Sequence, residues 1–174
     1  MSFPVQEQQA VSYKGDIMPI DKDQLRKLVT DVLIVMRLYS KNAVELLMLT
    51  AAQESHCGTY LEQINGPAQG IFQMEPNTHS DIYANYLKYK PELRTKLHRL
   101  MATYGPNLGF DLNMRGNIIY QIAMARVFYL RFPEPLPSHL DVDALAKYYK
   151  KYWNTELGKA TVMEAKNNYM RFAV

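Results

Sequence analysis

Leu49-Thr50-Ala51-Ala52-Gln53-Glu54-Ser55-His56-Cys57-Gly58 leads, after a short gap, into Gly66-Pro67-Ala68-Gln69-Gly70-Ile71-Phe72-Gln73-Met74-Glu75-Pro76-Asn77-Thr78. The first part closes an almost wholly apolar run that begins at Val44, and the second carries glycine, proline and amide side chains with no helical period. The spacing predicts a helix over about 43–55, apolar nearly all round and therefore central to the fold. Val44, Leu47, Met48, Ala51 and Ser55 share one stripe of that helix, and Glu54 sits at its edge. Residues 56–75 then read as a long loop with room for a small hairpin, and loops of that length are often functional.

A carboxylic acid in the last turn of a buried helix is unfavourably placed as an anion. Partial burial disfavours its ionised form, and so does the negative end of the helix macrodipole. Both effects raise its pKa, which is the tuning of a general acid near neutral pH. The alternative is a solvated residue, or one held by a salt-bridge partner. Cleavage of a glycosidic bond needs such an acid and a group that deals with the oxocarbenium-like carbon. Glu75 is the nearest second carboxylate, and Glu62 is another. Gln69, Gln73 and Asn65 are neutral groups suited to sugar hydroxyls and acetamido groups, while Gly66 and Gly70 allow backbone to approach a ligand.

Away from this stretch the pattern is helical. Asp21 can cap a helix over about 22–39, with Leu25, Leu28, Val29, Val32, Leu33 and Met36 at helical spacing. Ser40 or Asn42 starts the central helix. Further helices are expected over about 77–88, over 91–103 with Pro91 in its first turn, and over 113–131. Gly105-Pro106-Asn107 breaks the second of these. After the stiff Pro133–Pro137 linker, Asp141 or Asp143 caps a helix to about Trp153. Thr161 and Glu164 form a capping box for a last helix over 162–171. The expectation is a mostly α chain of about seven helices in one domain, 21–174, preceded by an arm, 1–20, that packs or binds a partner.

Composition narrows the class. The 174 residues suit a single core, and thirteen Tyr offer flat faces and hydroxyls for a polar cleft. A net charge of +3 does not oppose an anionic polymer but selects none, and no Lys/Arg run marks a nucleic-acid footprint. The lone Cys57 leaves no intramolecular disulfide. The start of the chain shows neither the basic nor the apolar region of a signal peptide, and no apolar run is long enough to span a bilayer. His79, His98 and His139 lack ligand spacing, so neither a metal nor another cofactor is expected. His56 reads as a simple exposed loop residue or a partner for Glu54, and Cys57 as a small filler rather than a nucleophile.

These motifs resemble the goose-type lysozyme and soluble lytic transglycosylase superfamily. Glu54-Ser55 looks like its catalytic Glu-Ser pair at a helix end, and Glu54 to Gly58 is similar to goose-type sequences. Gly70-Ile71-Phe72-Gln73-Met74 looks like the family's Gly-Leu-Met-Gln-(Ile/Val) motif, and Pro76-Asn77-Thr78 continues as in the transglycosylases. The match covers about 45–90 well and then thins. The family's later Ala-Tyr-Asn-Ala-Gly is represented only by Leu145-Ala146-Lys147-Tyr148-Tyr149, with Tyr148 as the carry-over and Asn and Gly missing. Glu75 stands where the transglycosylases commonly have Met and goose-type lysozymes have Asp.

The resemblance implies a lysozyme-like α fold and a muramidase cutting the β-1,4 bond between N-acetylmuramic acid and N-acetylglucosamine of bacterial peptidoglycan. Glu54 would be the general acid and Glu75 a carboxylate that positions water, so that hydrolysis or non-hydrolytic transglycosylation follows. Ser55, Gln69, Gly70, Phe72, Gln73 and Tyr148 would bind substrate. The alternative is a weakly active or inactive lysozyme-like module of a phage virion or secretion apparatus, docked through the N-terminal arm. The missing signal peptide and disulfides fit a phage protein, carried in the virion or released from the host cytoplasm to the cell wall, and a monomer if free.

Overall fold

Asp21 begins the first helix as expected, its carboxylate accepting from the backbone of Asp23 and Gln24. The computed structural model describes residues 20–102, 109–155 and 158–174. All of the expected arm except Ile20 lies outside the described residues, and so does the Gly105-Pro106-Asn107 break. Eight α-helices are described: α1 Lys22–Met36, α2 Lys41–Ser55, α3 Pro76–Asp81, α4 Pro91–Leu100, α5 Gly109–Gly116, α6 Ile118–Tyr129, α7 Val142–Tyr149 and α8 Val162–Phe172. No strand occurs among the described residues, and none of their helices is long and apolar enough to cross a membrane.

The central helix is α2, against which α1, α6, α7 and α8 all pack. Ten of its fifteen residues are buried, and Leu47, Met48 and Leu49 are fully so. Cutting any of those three to Ala would cost about 2–5 kcal/mol. Ser40 caps α2 through the Ala43 N–H. Polar pins fix its neighbours. Glu45 takes Arg26 of α1 at 2.9 Å and the Tyr169 hydroxyl of α8 at 2.6 Å. The Thr50 hydroxyl lies 2.8 Å from that of Tyr129 on α6.

Several helices end sooner than their apolar period suggested. α1 stops at Met36 because Arg37 turns left-handed (φ 58°), and its N–H returns to the carbonyls of the last turn. The stretch expected as one helix over 113–131 is two, broken at Asn117. The Asn117 side chain accepts from Tyr120 N–H and donates to Leu100 O and Asn113 Oδ1, so local polar bonds replace one turn of helix. The helix expected over 77–88 is α3, then a π turn at Ile82–Tyr86 and a 3-10 turn at Leu87–Tyr89. α7 likewise gives way to a π turn, Lys150–Asn154, before Trp153 would have ended it. Asp141 caps α7, and Thr161 with Glu164 forms the capping box of α8.

The glycine-bearing loop after α2 folds as a small meander. Antiparallel bridges join Glu62 to Gln69 and Gln69 to Met74. Gly70 makes the tight corner, with φ at 74°. A Cβ there would collide with the Met114 carbonyl and the Gln121 side chain. The close approach that Gly70 permits is thus to the protein itself, not to a ligand.

Candidate active site

The end of α2 and the meander are joined by one side chain. The Ser55 hydroxyl donates to Ile71 O at 2.6 Å and accepts from Gly58 N at 2.8 Å. It is wholly buried. Ser55 therefore aligns the loop on the helix, where a substrate contact had been expected. The Ile71 N–H is held from the other side by Gln121 Oε1 at 2.7 Å. Two interior side chains thus fix the Gly70–Phe72 segment against α2 and α6.

The residues that follow this segment, Gln73, Met74 and Glu75, form one side of a cleft of about 530 Å³. Glu54, Gln63, Gln73, Glu75, Thr78, Phe128, Trp153, Asn154 and Lys159 are among the residues that line it. Glu54 projects from the last turn of α2, which carries no basic residue. Its Oε1 accepts from the Tyr149 hydroxyl at 2.5 Å, and no cation lies within ion-pairing distance among the described residues. Desolvation by the surrounding protein pushes the Glu54 pKa up to about 7, and the Tyr149 hydrogen bond opposes only part of that. The same burial, with the neighbouring carboxylate, drives the Tyr149 phenol far above its ordinary value, so it stays a donor.

The expected site residues divide cleanly. Glu54, Gln73 and Glu75 face the cleft. Gln73 stands at a left-handed φ of 45°, its amide held by Gly70 O at 2.7 Å. Glu75 is exposed at the N-cap of α3 and makes no capping bond. Gln69 is instead tied to Asp111 at 2.6 Å. Glu62, the other second-carboxylate candidate, is held by Arg115 at 2.7 Å, which also bonds Asp111. Phe72 is buried beneath the cleft, its ring 6.4 Å from that of Trp153.

Tyr148 does not line the cleft. Its hydroxyl donates to Glu134 O at 3.1 Å. The tyrosine that reaches the acid is its neighbour, Tyr149. Adjacent residues of a helix point about 100° apart, so a one-residue difference decides which of the pair meets α2. The π turn that follows places Trp153 against Phe128, with ring centroids 4.5 Å apart, and the two form an aromatic wall. Such π turns are frequent at functional sites. Trp153, the chain's single Trp, had no assigned role in the sequence, and neither did Phe128.

His56 is not a free loop residue. It caps α2 in the left-handed conformation and stacks on Phe172, with centroids 4.4 Å apart. Cys57 is fully buried, and desolvation pushes its thiol up to about 11, the state of an inert filler.

In chemical terms the cleft offers a carboxyl that holds its proton near neutral pH, and a second, solvated carboxylate. It adds neutral amides from Gln63, Gln73 and Asn154, and a flat aromatic wall. Comparison of the chain with known proteins finds no family model, no curated protein and no solved structure that matches it.

Proposed function

We propose that the chain is a peptidoglycan-cleaving muramidase of lysozyme-like fold, acting on the β-1,4 bond between N-acetylmuramic acid and N-acetylglucosamine. The observation that carries this reading is Glu54. Desolvation pushes its pKa up to about 7, it has no cation partner within ion-pairing distance among the described residues, and it opens onto a cleft of about 530 Å³. The arrangement suits a general acid that protonates the leaving glycosidic oxygen. Tyr149 fixes the rotamer of Glu54 and binds the carboxylate left after proton transfer.

Glu75, exposed at the cleft's edge, would orient a water on the opposite side of the sugar. In its absence from that role the substrate's own 6-hydroxyl would attack and give an anhydro product. The aromatic wall of Phe128 and Trp153 suits the apolar face of a pyranose, and the amides suit acetamido groups. The resemblance of Glu54-Ser55 and Gly70–Met74 to goose-type lysozymes and lytic transglycosylases supports the same reading.

The test is clearing of a purified peptidoglycan suspension. Wild type should clear it with an activity that falls as pH rises through about 7, where Glu54 loses its proton. Glu54→Gln should reduce clearing by at least about a thousandfold. Clearing retained in that variant would remove Glu54 from the mechanism. No clearing by the folded wild type would favour a structural module.

A further inference from the structure

We infer that the end of the molecule remote from the cleft is a docking surface for an anionic lipid bilayer. Two contiguous hollows of about 380 and 340 Å³ lie where the turn after α1 meets α4, sharing Met36, Arg37 and Lys96. Lys90 and Arg99 complete a cationic rim, and Lys88 stands beside it with its ammonium 4.8 Å from the Tyr89 ring. Glu92 is the one carboxylate lining either hollow. The five cations and Glu92 give this face a local charge of +4, whereas the whole chain carries +3. None of the five enters an ion pair among the described residues. The charge is divided between two segments distant in sequence, so no Lys/Arg run announces it.

Apolar side chains stand out among these cations. Tyr89 is 70% exposed and Val35 66%, and each lines one of the hollows. An exposed aliphatic and an exposed aromatic side chain beside ammonium and guanidinium groups make an interfacial footprint. The tips enter the headgroup boundary, and the cations meet lipid phosphates. A nucleic-acid backbone would use the charges but leave the apolar tips without a role. The face lies at the start of α2 and Glu54 at its end, about 20 Å away at 1.5 Å per residue of helix. A docked molecule therefore keeps its cleft clear of the bilayer. The inference does not depend on the cleft's activity.

The experiment is vesicle co-sedimentation of the full chain. The probes are vesicles of phosphatidylcholine alone and with about a third phosphatidylglycerol, at low and high salt. Wild type should pellet with the anionic vesicles, be released by salt, and ignore the neutral ones. Each cation at an anionic surface is worth about fivefold in partitioning, so Lys90→Glu with Arg99→Glu should lower binding by at least about a hundredfold. Tyr89→Ser, which leaves the charge intact, should lower it about tenfold. All three positions are exposed, so thermal melts of the variants should match wild type. Equal binding to neutral vesicles, no binding to anionic ones, or undiminished binding by the charge-reversed variant would overturn the inference. So would binding to double-stranded DNA as tight as to the anionic vesicles.

Discussion

Glu54→Gln should leave the fold's stability unchanged near pH 4 and raise it at pH 8. The folded carboxyl has a pKa of about 7 against an ordinary value of 4.5, with burial as the main cause. A raised carboxyl pKa means that the folded state binds this proton more tightly than the unfolded chain does. The wild type therefore suffers no penalty below about pH 4.5, loses stability as pH rises through the window to about 7, and carries the full penalty above it. The difference corresponds to about 3 kcal/mol. Glutamine is nearly isosteric, never ionises, and keeps an oxygen for the Tyr149 hydroxyl, so it escapes that penalty. For a domain of this size, about 3 kcal/mol corresponds to a rise of roughly 6–12 °C in the melting temperature at pH 8. Paired thermal melts by circular dichroism between pH 4 and pH 8.5 measure it. A difference between variant and wild type that stays flat across that range would refute the placement of Glu54 in a desolvated site.

Tyr149→Phe removes the hydrogen bond that lowers the Glu54 pKa, so that pKa should move further up. The alkaline limb of the clearing profile should follow it to higher pH, while stability falls by about 1 kcal/mol. A limb that stays in place would separate Tyr149 from the acid. Ser55→Ala should cost about 2–3 kcal/mol in denaturant unfolding, because it strands the buried Ile71 carbonyl and the Gly58 N–H. At a temperature where the variant is folded its KM should be unchanged, and a large rise in KM would return Ser55 to the substrate.

The helices were legible wherever a cap and an apolar stripe agreed, as at Asp21, Ser40 and Thr161. They were misjudged where side chains compete for the backbone. Asn117 reads as an ordinary helical residue, yet its amide bonds to Leu100 and Asn113 depend on a neighbouring helix. The place of Glu54 at the edge of the apolar stripe followed from the period of α2, which is local, but period and macrodipole alone left a solvated or ion-paired carboxylate open, because its desolvation is set by helices distant in sequence. The partner of Glu54 did not follow, because Tyr148 and Tyr149 differ only in the rotation of α7 about its axis, which tertiary packing sets. Ser55 and Gly70 stood out correctly as special residues. Their work is to fasten the meander to α2 and α6, a role that spacing along the chain does not distinguish from ligand contact.

Mass spectrometry of the soluble products from purified peptidoglycan asks most directly whether Glu54 drives glycan cleavage. Disaccharide muropeptides should be released by wild type and absent with Glu54→Gln. Reducing N-acetylmuramic ends would show attack by water, and 1,6-anhydro ends would show attack by the sugar itself. An undigested glycan under the wild-type protein, or the same products from the Glu54→Gln variant, would contradict the assignment.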